Sequence, residues 1–424
     1  MNTPPPTVVL VYQRTTLPWV FDSAERAGIR LILVPRPDED VAPDRLPPAV
    51  TDLLRLDLDR DRAGALATLR KLYETTPFQG ICTLYDPAVP FVAEAAELLG
   101  LPGIGREAAL GAQDKRVMRD RLAAAGLNTP RFVRLEDPSG WEAAAHLDFP
   151  VVVKPAHGFS SLGVTKADGP ERLKAVVEEV WQVCRDKLGR VEGLVVEEYL
   201  DGPEFAVESL AHRGEVTVCA IGYKGEPEGP YFEESVYRAP AVLPPAVEDA
   251  VRREVVAAHT ALGITDGPTH TELRLRGGER PYLLELGARI GGSGVSQYIV
   301  QHVTGLDFAA DALRIAAGLP PVSFGGGTPA ATGAAANYIV PCGGSGRIAA
   351  VHGLAELRDD PRVDHVVQML FPGDVVRPYP DFTGYPAFVL SRHATTAEAE
   401  EFHQGLETAI RVEYTVEYTP EGGA

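Results

Sequence analysis

Two glutamates lie in two strand-like runs on either side of a glycine turn, in the segment T-E-L-R-L-R-G-G-E-R-P-Y-L-L-E-L. A two-residue turn that begins at Gly278, with glycine first as a type II′ turn requires, sets Glu272 directly opposite Glu285. Moving the turn back by one residue shifts the pairing by two and keeps both carboxylates on one face, whereas an odd-length loop would separate the faces. The segment therefore predicts a hairpin that presents two carboxylates together.

Two carboxylates that face each other across a β-ladder repel, unless a cation lies between them or one of them is protonated. Carboxylate oxygens, completed by phosphate oxygens and water, are ligands that suit Mg²⁺. The hairpin therefore predicts a metal site at Glu272 and Glu285. Two other interpretations stay open, namely solvated glutamates on an exposed face and ion pairs with Arg274 and Arg276.

An arginine follows the second glutamate in the glycine-dense segment L-G-A-R-I-G-G-S-G. Arg289 lies four residues beyond Glu285, where glycines let the backbone approach a ligand closely. A guanidinium beside a carboxylate-bound metal suits a transferring phosphoryl group, because the charge of that group must be met from several sides. We predict that Arg289 contacts the substrate and takes part in catalysis; an arginine that caps a backbone carbonyl is the alternative.

Two upstream segments have the composition of a nucleotide site. K-P-A-H-G-F-S-S-L-G, residues 154–163, places a lysine at a strand end before a loop of small and hydroxyl residues, yet the G-x-x-x-x-G-K-[ST] order of a P-loop is absent. In V-V-E-E-Y-L-D-G-P-E-F-A-V-E, the backbone from Glu197 to Leu200 can face an adenine edge, and Glu204 can accept hydrogen bonds from ribose hydroxyls. A solvated acidic turn is the alternative for the second segment.

The elements that must position these side chains alternate along the chain. Residues 7–34 read as strand, helix and strand, with Gly28 closing the helix, and residues 80–85 read as a further strand. This alternation predicts a parallel sheet with helices on its faces over about 105 residues. It is similar to a Rossmann-type unit, but Q-R-T-T-L follows the first strand in place of G-x-G-x-x-G, so the dinucleotide fingerprint is missing.

The remaining chain continues as mixed α/β structure. Residues 221–245, rich in Gly, Pro and Glu, predict a substrate loop or lid, and P-P-V-S-F-G-G-G-T-P-A predicts a linker before about 90 residues of short strands and helices. We therefore expect three domains, at 1–110, 111–320 and 328–424.

Composition limits the function classes. The chain has 424 residues, 45% hydrophobic and 23% charged, which is ordinary for a globular protein with a large core. Its net charge of −19 argues against nucleic acid or anionic lipid as partners, and a polyphosphate ligand would need a local positive site. The four cysteines are dispersed, which predicts reduced thiols. The start M-N-T-P-P-P-T has no signal-peptide pattern, and no run of about 18 apolar residues occurs. We therefore expect a soluble, cytoplasmic protein without a membrane span.

In chain order, D-K at 114–115, Lys154, the S-S-L-G loop, E-E-Y-L-D-G-P-E-F, and Glu272 with E-L-G-A-R resemble the ATP-grasp superfamily of carboxylate–amine ligases. E-Y-L-D-G-P-E-F looks like the D-alanine–D-alanine ligases, and the T-E…E-x-x-x-R ending with the C-terminal part looks like the L-amino-acid α-ligases that make dipeptides. The resemblance implies an α/β fold: a Rossmann-like N-terminal domain, a central two-layer α+β ATP-grasp clamp of two subdomains with a flap at about 130–200, and a small α+β C-terminal domain.

The same resemblance implies roles for individual residues. Glu272 and Glu285 would hold one or two Mg²⁺ ions, with Mn²⁺ as a possible substitute, and Arg289 would steady the transferred phosphoryl group together with Lys154. The implied ATP-binding residues are Lys115, Lys154, Ser160, Ser161, Gly163, Glu197, Glu198, Leu200 and Glu204.

The substrate side departs from the dipeptide-forming ligases. F-E-E-S-V-Y-R-A-P stands where they have a loop similar to F-x-E-x-x-H-x-x-P, so Glu234 is kept for the donor's ammonium, but Tyr237 replaces histidine and cannot act as a near-neutral base. His270 is a candidate substrate contact or a structural histidine. Gly287 stands where many of these enzymes place a metal-binding asparagine. A small turn at Gly292 and Ser293 indicates room for a larger donor side chain.

The implied reaction is ATP-dependent amide formation. Phosphorylation turns a carboxylate into an acyl phosphate that an amine, most simply a second amino acid, can attack, with release of ADP and phosphate. Positioning and charge neutralisation suffice for this chemistry, and no G-x-S-x-G elbow or Cys/His nucleophile pattern is present. The alternatives are a ligase of another acid and amine (purine-type or specialised-metabolite), a nucleotide-binding module without turnover and, least favoured, a nicotinamide-dependent oxidoreductase. A homodimer is the family expectation.

Overall fold

The computed structural model describes residues 4–15, 19–158, 161–187, 189, 191–226, 232, 235–292, 295–322, 330–378 and 384–416. Ser160, Glu234, Ser293 and most of the predicted linker lie outside the described residues. By their contacts the residues divide into a first unit, Met1–Pro130, Ala206–Ala220 and Pro244–Ala330, and a second unit, Arg131–Phe205, Ile221–Leu243 and Ala331–Ala424.

The described helices are α1 (Trp19–Arg26), α2 (Arg62–Thr75), α3 (Val89–Leu99), α4 (Arg106–Gln113), α5 (Lys115–Ala124), α6 (Pro170–Lys187), α7 (Pro245–Leu262), α8 (Val295–Thr304), α9 (Phe308–Ala316), α10 (Leu354–Leu357) and α11 (Thr396–Ala409). The described strands are β1 (Thr7–Val11), β2 (Arg30–Val34), β3 (Val50–Leu53), β4 (Gly80–Thr83), β5 (Phe132–Leu135), β6 (Val151–Pro155), β7 (Thr165–Ala167), β8 (Leu194–Glu198), β9 (Glu204–His212), β10 (Glu215–Gly225), β11 (Val236–Ala239), β12 (Gly267–Arg276), β13 (Arg280–Gly287), β14 (Ala334–Ile339), β15 (Gly346–His352), β16 (Val363–Gln368), β17 (Val375–Val376), β18 (Ala387–His393) and β19 (Arg411–Val416).

The first unit contains the predicted parallel sheet, in the order β3-β2-β1-β4. Alternate residues of β1 enter different hydrophobic clusters, because successive side chains of a strand point to opposite faces: Val9 packs in one and Val8 in the other. Both faces are therefore covered, as a parallel sheet requires. The predicted helix end is confirmed as well, since Gly28 has φ +65°.

The first unit also holds the predicted hairpin. Strands β12 and β13 pair antiparallel, and the strand order continues to β9 and β10, of which residues 206–212 and 215–220 belong to this unit. Residues 221–225 and Val236–Ala239, within the segment predicted as a loop or lid, are instead strand residues of β10 and β11.

The second unit contains three further sheets or sheet parts. The order β5-β8-β6-β7 is antiparallel and is covered by α6, whose buried valines and leucine share one core with the strands. Strands β11, β14, β18 and β16 are neighbours in that order, and α11 packs on them. A small sheet has the order β17-β15-β19. None of the helices in the described residues combines the length and the apolar character needed to cross a membrane.

A buried histidine of α11 predicts acid sensitivity in the second unit. His403 is 4% exposed beside the Tyr338 ring, and neither ring nitrogen has a hydrogen-bond partner among the described residues. Burial, with added repulsion from Arg238 and His393, lowers the pKa of His403 to about 3. The unfolded chain takes up a proton below its ordinary pKa of about 6.5, whereas the folded chain does not until about 3.

The stabilising contribution of neutral His403 is therefore complete above pH 6.5 and is lost as the pH falls towards 3, by about 1.4 kcal/mol per pH unit. We expect His403→Phe to flatten this part of the pH dependence of the free energy of unfolding, measured by urea unfolding from pH 7 to pH 4. The exposed His146 offers the control variant His146→Gln, which should follow the wild type. Parallel curves for His403→Phe and the wild type would contradict the prediction.

Candidate functional site

The two glutamates lie directly opposite each other, as predicted, but the hairpin reaches this register by a different route. Arg276 pairs with Arg280, so the loop has three residues rather than two. An odd loop alone would separate the faces, yet a bulge at Leu284 shifts the register by one, and Glu272 pairs with Glu285 beyond it. The predicted turn was wrong and the predicted opposition is confirmed.

A lysine of the first unit contacts one of these carboxylates. Asp114 caps α5 by accepting a hydrogen bond from the backbone N–H of Arg116, so Lys115 is the first residue of the helix. The Lys115 Nζ lies 3.1 Å from Glu285 Oε1, and the lysine side chain is only 5% exposed. Lys115, predicted from the resemblance as a phosphate ligand, therefore lies next to the predicted metal pair.

His270 connects the other carboxylate to a buried acid. Its Nδ1 lies 2.7 Å from Glu208 Oε1, and its Nε2 lies 3.4 Å from Glu272 Oε1. Burial lowers the pKa of His270, but the charges and hydrogen bonds of Glu208 and Glu272 outweigh it and raise the pKa to about 9. His270 therefore lies between Glu208 and Glu272. Sequence reasoning predicted His270 but missed Glu208, which is fully buried.

Arg289 pairs with an acid that sequence reasoning also missed. Its Nε lies 3.4 Å from Asp86 Oδ1, in a turn just after β4. Burial lowers the pKa of Arg289, but the charges of Asp86, then Glu285 and Glu272, outweigh it and raise the pKa above its usual range. Asp86 Oδ1 accepts no hydrogen bond within the described part of the chain. The order β3-β2-β1-β4 makes the ends of β1 and β4 a topological switch point, the ordinary place for a ligand in such a sheet.

The glycines after β13 differ in the space around them. A Cβ at Gly287 would lie 3.4 Å from Asp86 Oδ1, and a Cβ at Gly291 would lie 1.9 Å from Ser296 Oγ. A Cβ at Gly292 would meet no atom within 4 Å. Of the two predicted small positions, Gly292 is thus open and Ser293 lies outside the described residues.

The donor set of the hairpin fits a hard divalent cation. Glu272 and Glu285 pair directly across the hairpin and are 24% and 26% exposed, so a ligand can reach both carboxylates. Among the described residues, no group of three or more His, Cys, Asp or Glu side chains could hold a metal ion. Two carboxylates completed by phosphate oxygens and water are the coordination that Mg²⁺ uses in nucleotide sites.

The second unit carries the other predicted nucleotide residues. Lys154 extends from β6, and its Nζ lies 2.8 Å from Glu197 Oε2, a carboxylate that is 1% exposed. Ser161 has φ +52° and Gly163 has φ +79°, and a Cβ at Gly163 would lie only 2.9 Å from Pro155 Cγ, which leaves no room for a side chain. Gly163 therefore lies close to Pro155, the last residue of β6.

The acidic segment after β8 is also in the second unit. Glu204 Oε1 lies 3.1 Å from Lys224 Nζ, both side chains being mostly buried, and Glu198 pairs with Arg131. Glu197 and Glu198 end β8, and Leu200 lies two residues beyond the strand. Tyr237 is buried in β11, where it packs against Gly222 so closely that a Cβ there would lie 2.0 Å from its ring.

Three of the four cysteines do not offer a reactive thiolate. None of the four forms a disulfide within the described residues, and burial raises the pKa of Cys82 and Cys219 to about 12 and that of Cys184 to about 11. A thiol with such a pKa is a poor nucleophile near neutral pH.

Three family models match the chain in order. The ATP-grasp N-terminal domain matches residues 21–103, the ATP-grasp domain matches residues 147–297, and a model described as L-amino acid ligase C-terminal domain 2 matches residues 339–415. The second match contains both hairpin glutamates, Lys154 and Arg289.

Several proteins similar to this chain are amino-acid ligases. The crystal structure of an L-amino acid ligase from Bacillus licheniformis is 38% identical, with a TM-score of 0.87 and coverage of 98% of this chain and 100% of that one. A D-alanine–D-alanine ligase of Aromatoleum aromaticum is 37% identical over 227 residues, 52% of this chain and 71% of that protein. The alanine–anticapsin ligase of Bacillus subtilis is 28% identical over 60% of this chain and 57% of its own length.

Proposed function

We propose, since the chain belongs to the ATP-grasp family of amino-acid ligases, that it joins the carboxylate of one amino acid to the amine of a second one at the expense of ATP. The observation that carries the proposal is the register of the hairpin, which sets Glu272 opposite Glu285 with Lys115 at 3.1 Å. Arg289, two residues beyond the end of β13, adds a guanidinium whose side chain is 16% exposed.

The residues support a two-step reaction. The donor carboxylate attacks the γ-phosphorus of ATP, the bond from that phosphorus to the bridging oxygen breaks, and ADP leaves. The amine then attacks the acyl carbon, phosphate leaves, and the amine gives up a proton. Mg²⁺ held by Glu272 and Glu285, for which Mn²⁺ can substitute, would supply charge neutralisation of the phosphates.

The side chains of the chain itself supply positioning. Lys115 and Lys154 would bind phosphate oxygens, Ser161 and Gly163 with Ser160 would cover them, and Glu204 would bind the ribose. The backbone from Glu197 to Leu200, including Glu198, would face adenine. Arg289 would hold the transferred phosphoryl group through charge-assisted hydrogen bonds, which are the stronger kind.

A zwitterion fits the ion pair of Arg289 with Asp86. An α-amino acid presents a carboxylate and an ammonium group one carbon apart, so its carboxylate can face the guanidinium while its ammonium faces Asp86 Oδ1. That oxygen is buried and accepts no hydrogen bond among the described residues, which leaves it available for a donor. Glu234, Tyr237 and His270 complete the proposed substrate contacts.

The function is tested with Mg-ATP and pools of amino acids, following phosphate release and product mass. We expect phosphate release that depends on amino acid and a product heavier by one residue. If no pool of amino acids gave phosphate release or a new product, the proposal would be rejected and a nucleotide-binding module would be favoured.

The open position at Gly292 predicts donor size. We propose that the space beside Gly292 and Ser293 admits the donor side chain, because a Cβ at Gly292 meets nothing within 4 Å. Gly292→Leu should therefore lower kcat/KM for large donors by about tenfold or more relative to alanine, since a lost apolar fit of about 1–3 kcal/mol has this size. Competition between a large and a small donor measures the ratio; an unchanged ratio would contradict the assignment.

A further inference from the structure

The hairpin brings its glutamates together only because two irregularities cancel. Three residues separate Arg276 from Arg280, and without a bulge this register would continue to place Leu284, not Glu285, opposite Glu272. The extra residue at Leu284 restores the opposition. A bulge leaves one residue unpaired in the ladder, so its backbone groups need partners elsewhere.

A buried arginine meets the backbone at this point. Arg119 Nη2 donates a hydrogen bond of 2.5 Å to the carbonyl oxygen of Leu284, and the arginine is 0% exposed. Arg119 lies one helical turn after Lys115 on α5, so both side chains lie on one face of the helix. The helix therefore contacts two successive residues of β13: Arg119 at the Leu284 carbonyl and Lys115 at the Glu285 carboxylate.

We infer that Arg119 is a positioning residue that selects the bulged register of β12 and β13 and thereby places Glu285 opposite Glu272. A fully buried guanidinium favours the register that offers it the Leu284 carbonyl, because losing a hydrogen bond to a buried charged group destabilises the fold. The slipped register would withdraw that carbonyl. Arg119 acts through the backbone and touches neither substrate nor metal.

The inference rests on the proposed function only in taking the glutamates as a metal pair. A neighbouring backbone contact does not distinguish the two registers: Leu283 N–H donates to the carbonyl of Asn128 at 3.0 Å. This contact lies before the bulge, in the part of the strand whose register both alternatives share. Beyond the bulge, where the two registers differ, α5 holds β13 through Arg119 at the Leu284 carbonyl and through Lys115 at the Glu285 carboxylate.

A cross-linking experiment reads the register without metal or activity. In the wild-type background, dibromobimane should bridge the Glu272→Cys/Glu285→Cys pair and should bridge Glu272→Cys/Leu284→Cys poorly. Adding Arg119→Met should reverse this preference, whereas Arg121→Met should leave it unchanged. Arg121 is the matched control because it also donates from α5 to a backbone carbonyl, that of Glu107 at 2.7 Å. An unchanged preference in Arg119→Met would overturn the inference.

Manganese binding tests whether loss of the bulged register weakens the proposed metal site. Electron paramagnetic resonance of Mn²⁺ with ADP should show binding to the wild type, loss of affinity by about tenfold or more in Arg119→Met and partial rescue in Arg119→Lys. Wild-type affinity in Arg119→Met would overturn the inference. Failure of the wild type itself to bind would instead reject the metal pair of the proposed function, while the cross-linking preference would still decide the role of Arg119. Near-native circular dichroism of each variant establishes that it is folded.

Discussion

Glu285→Gln is expected to lower kcat for ATP-dependent ligation by about 100-fold or more while the protein stays folded. The substitution removes one of two carboxylate charges that face each other across β12 and β13 and keeps the shape of the side chain. Loss of one preorganised charge contact in an active site commonly has an effect of this size. Phosphate release at saturating Mg-ATP and amino acids measures kcat.

The folded state should tolerate this change. Removal of the charge ends the repulsion with Glu272 but weakens the ion pair with Lys115, whose side chain is 5% exposed, and the amide oxygen can still accept a hydrogen bond. We expect the thermal midpoint to shift by no more than a few degrees. Glu279, exposed in the loop of the same hairpin, supplies the control Glu279→Gln, which should keep wild-type kcat. Near-normal turnover in Glu285→Gln would show that the metal assignment is wrong.

Local sequence patterns predicted the parts of the molecule that local forces determine. The buried strands β1 and β2 and the glycine that ends the first helix follow from short-range patterns and were confirmed. The hairpin shows where such reasoning reaches its limit. Its loop has three residues, with Gly277 and Gly278 at positive φ, and a three-residue loop alone would set the two glutamates on opposite faces. A bulge at Leu284 restores their opposition, and the carbonyl of Leu284 accepts a hydrogen bond from Arg119, 165 residues away in sequence.

The unpredicted part of the candidate site has the same physical origin. Glu208 lies 62 residues before His270, and Asp86 lies about 200 residues before Arg289 in the sequence. No local periodicity therefore connects the members of either pair. Each acid is buried, which requires a partner of opposite charge, but the partner is determined by tertiary packing. A weak sequence signal existed for Asp86, because it follows directly on a strand predicted for a parallel sheet, where ligands meet the carboxyl ends of strands.

Arg289→Met is expected to lower kcat/KM by about 10³-fold, the lower end of the effect of an arginine that stabilises a transferring phosphoryl group. The Arg289 side chain is only 16% exposed and the pKa of its guanidinium is raised above the usual range, so it is charged at neutral pH. Arg289→Lys keeps a charge but loses the planar fork, and should recover only part of the loss. The exposed Arg276 gives the control Arg276→Met, for which we expect wild-type kcat/KM.

A substitution of Asp86 distinguishes two roles for this residue, namely orientation of Arg289 and binding of the substrate ammonium group. If Asp86 only orients Arg289, then Asp86→Asn should lower kcat/KM equally for an amino acid and for the analogous carboxylic acid without an ammonium group. We expect instead a larger loss for the amino acid, because Asp86 Oδ1 also receives the ammonium in the proposed complex. Phosphate release with matched donor pairs measures the ratio, and the same comparison in Arg289→Lys provides a reference in which the carboxylate contact alone is impaired. Equal losses for both donors would show that Asp86 does not bind the ammonium group. Asp86 would then serve only as the buried counter-charge of Arg289, which it contacts at 3.4 Å.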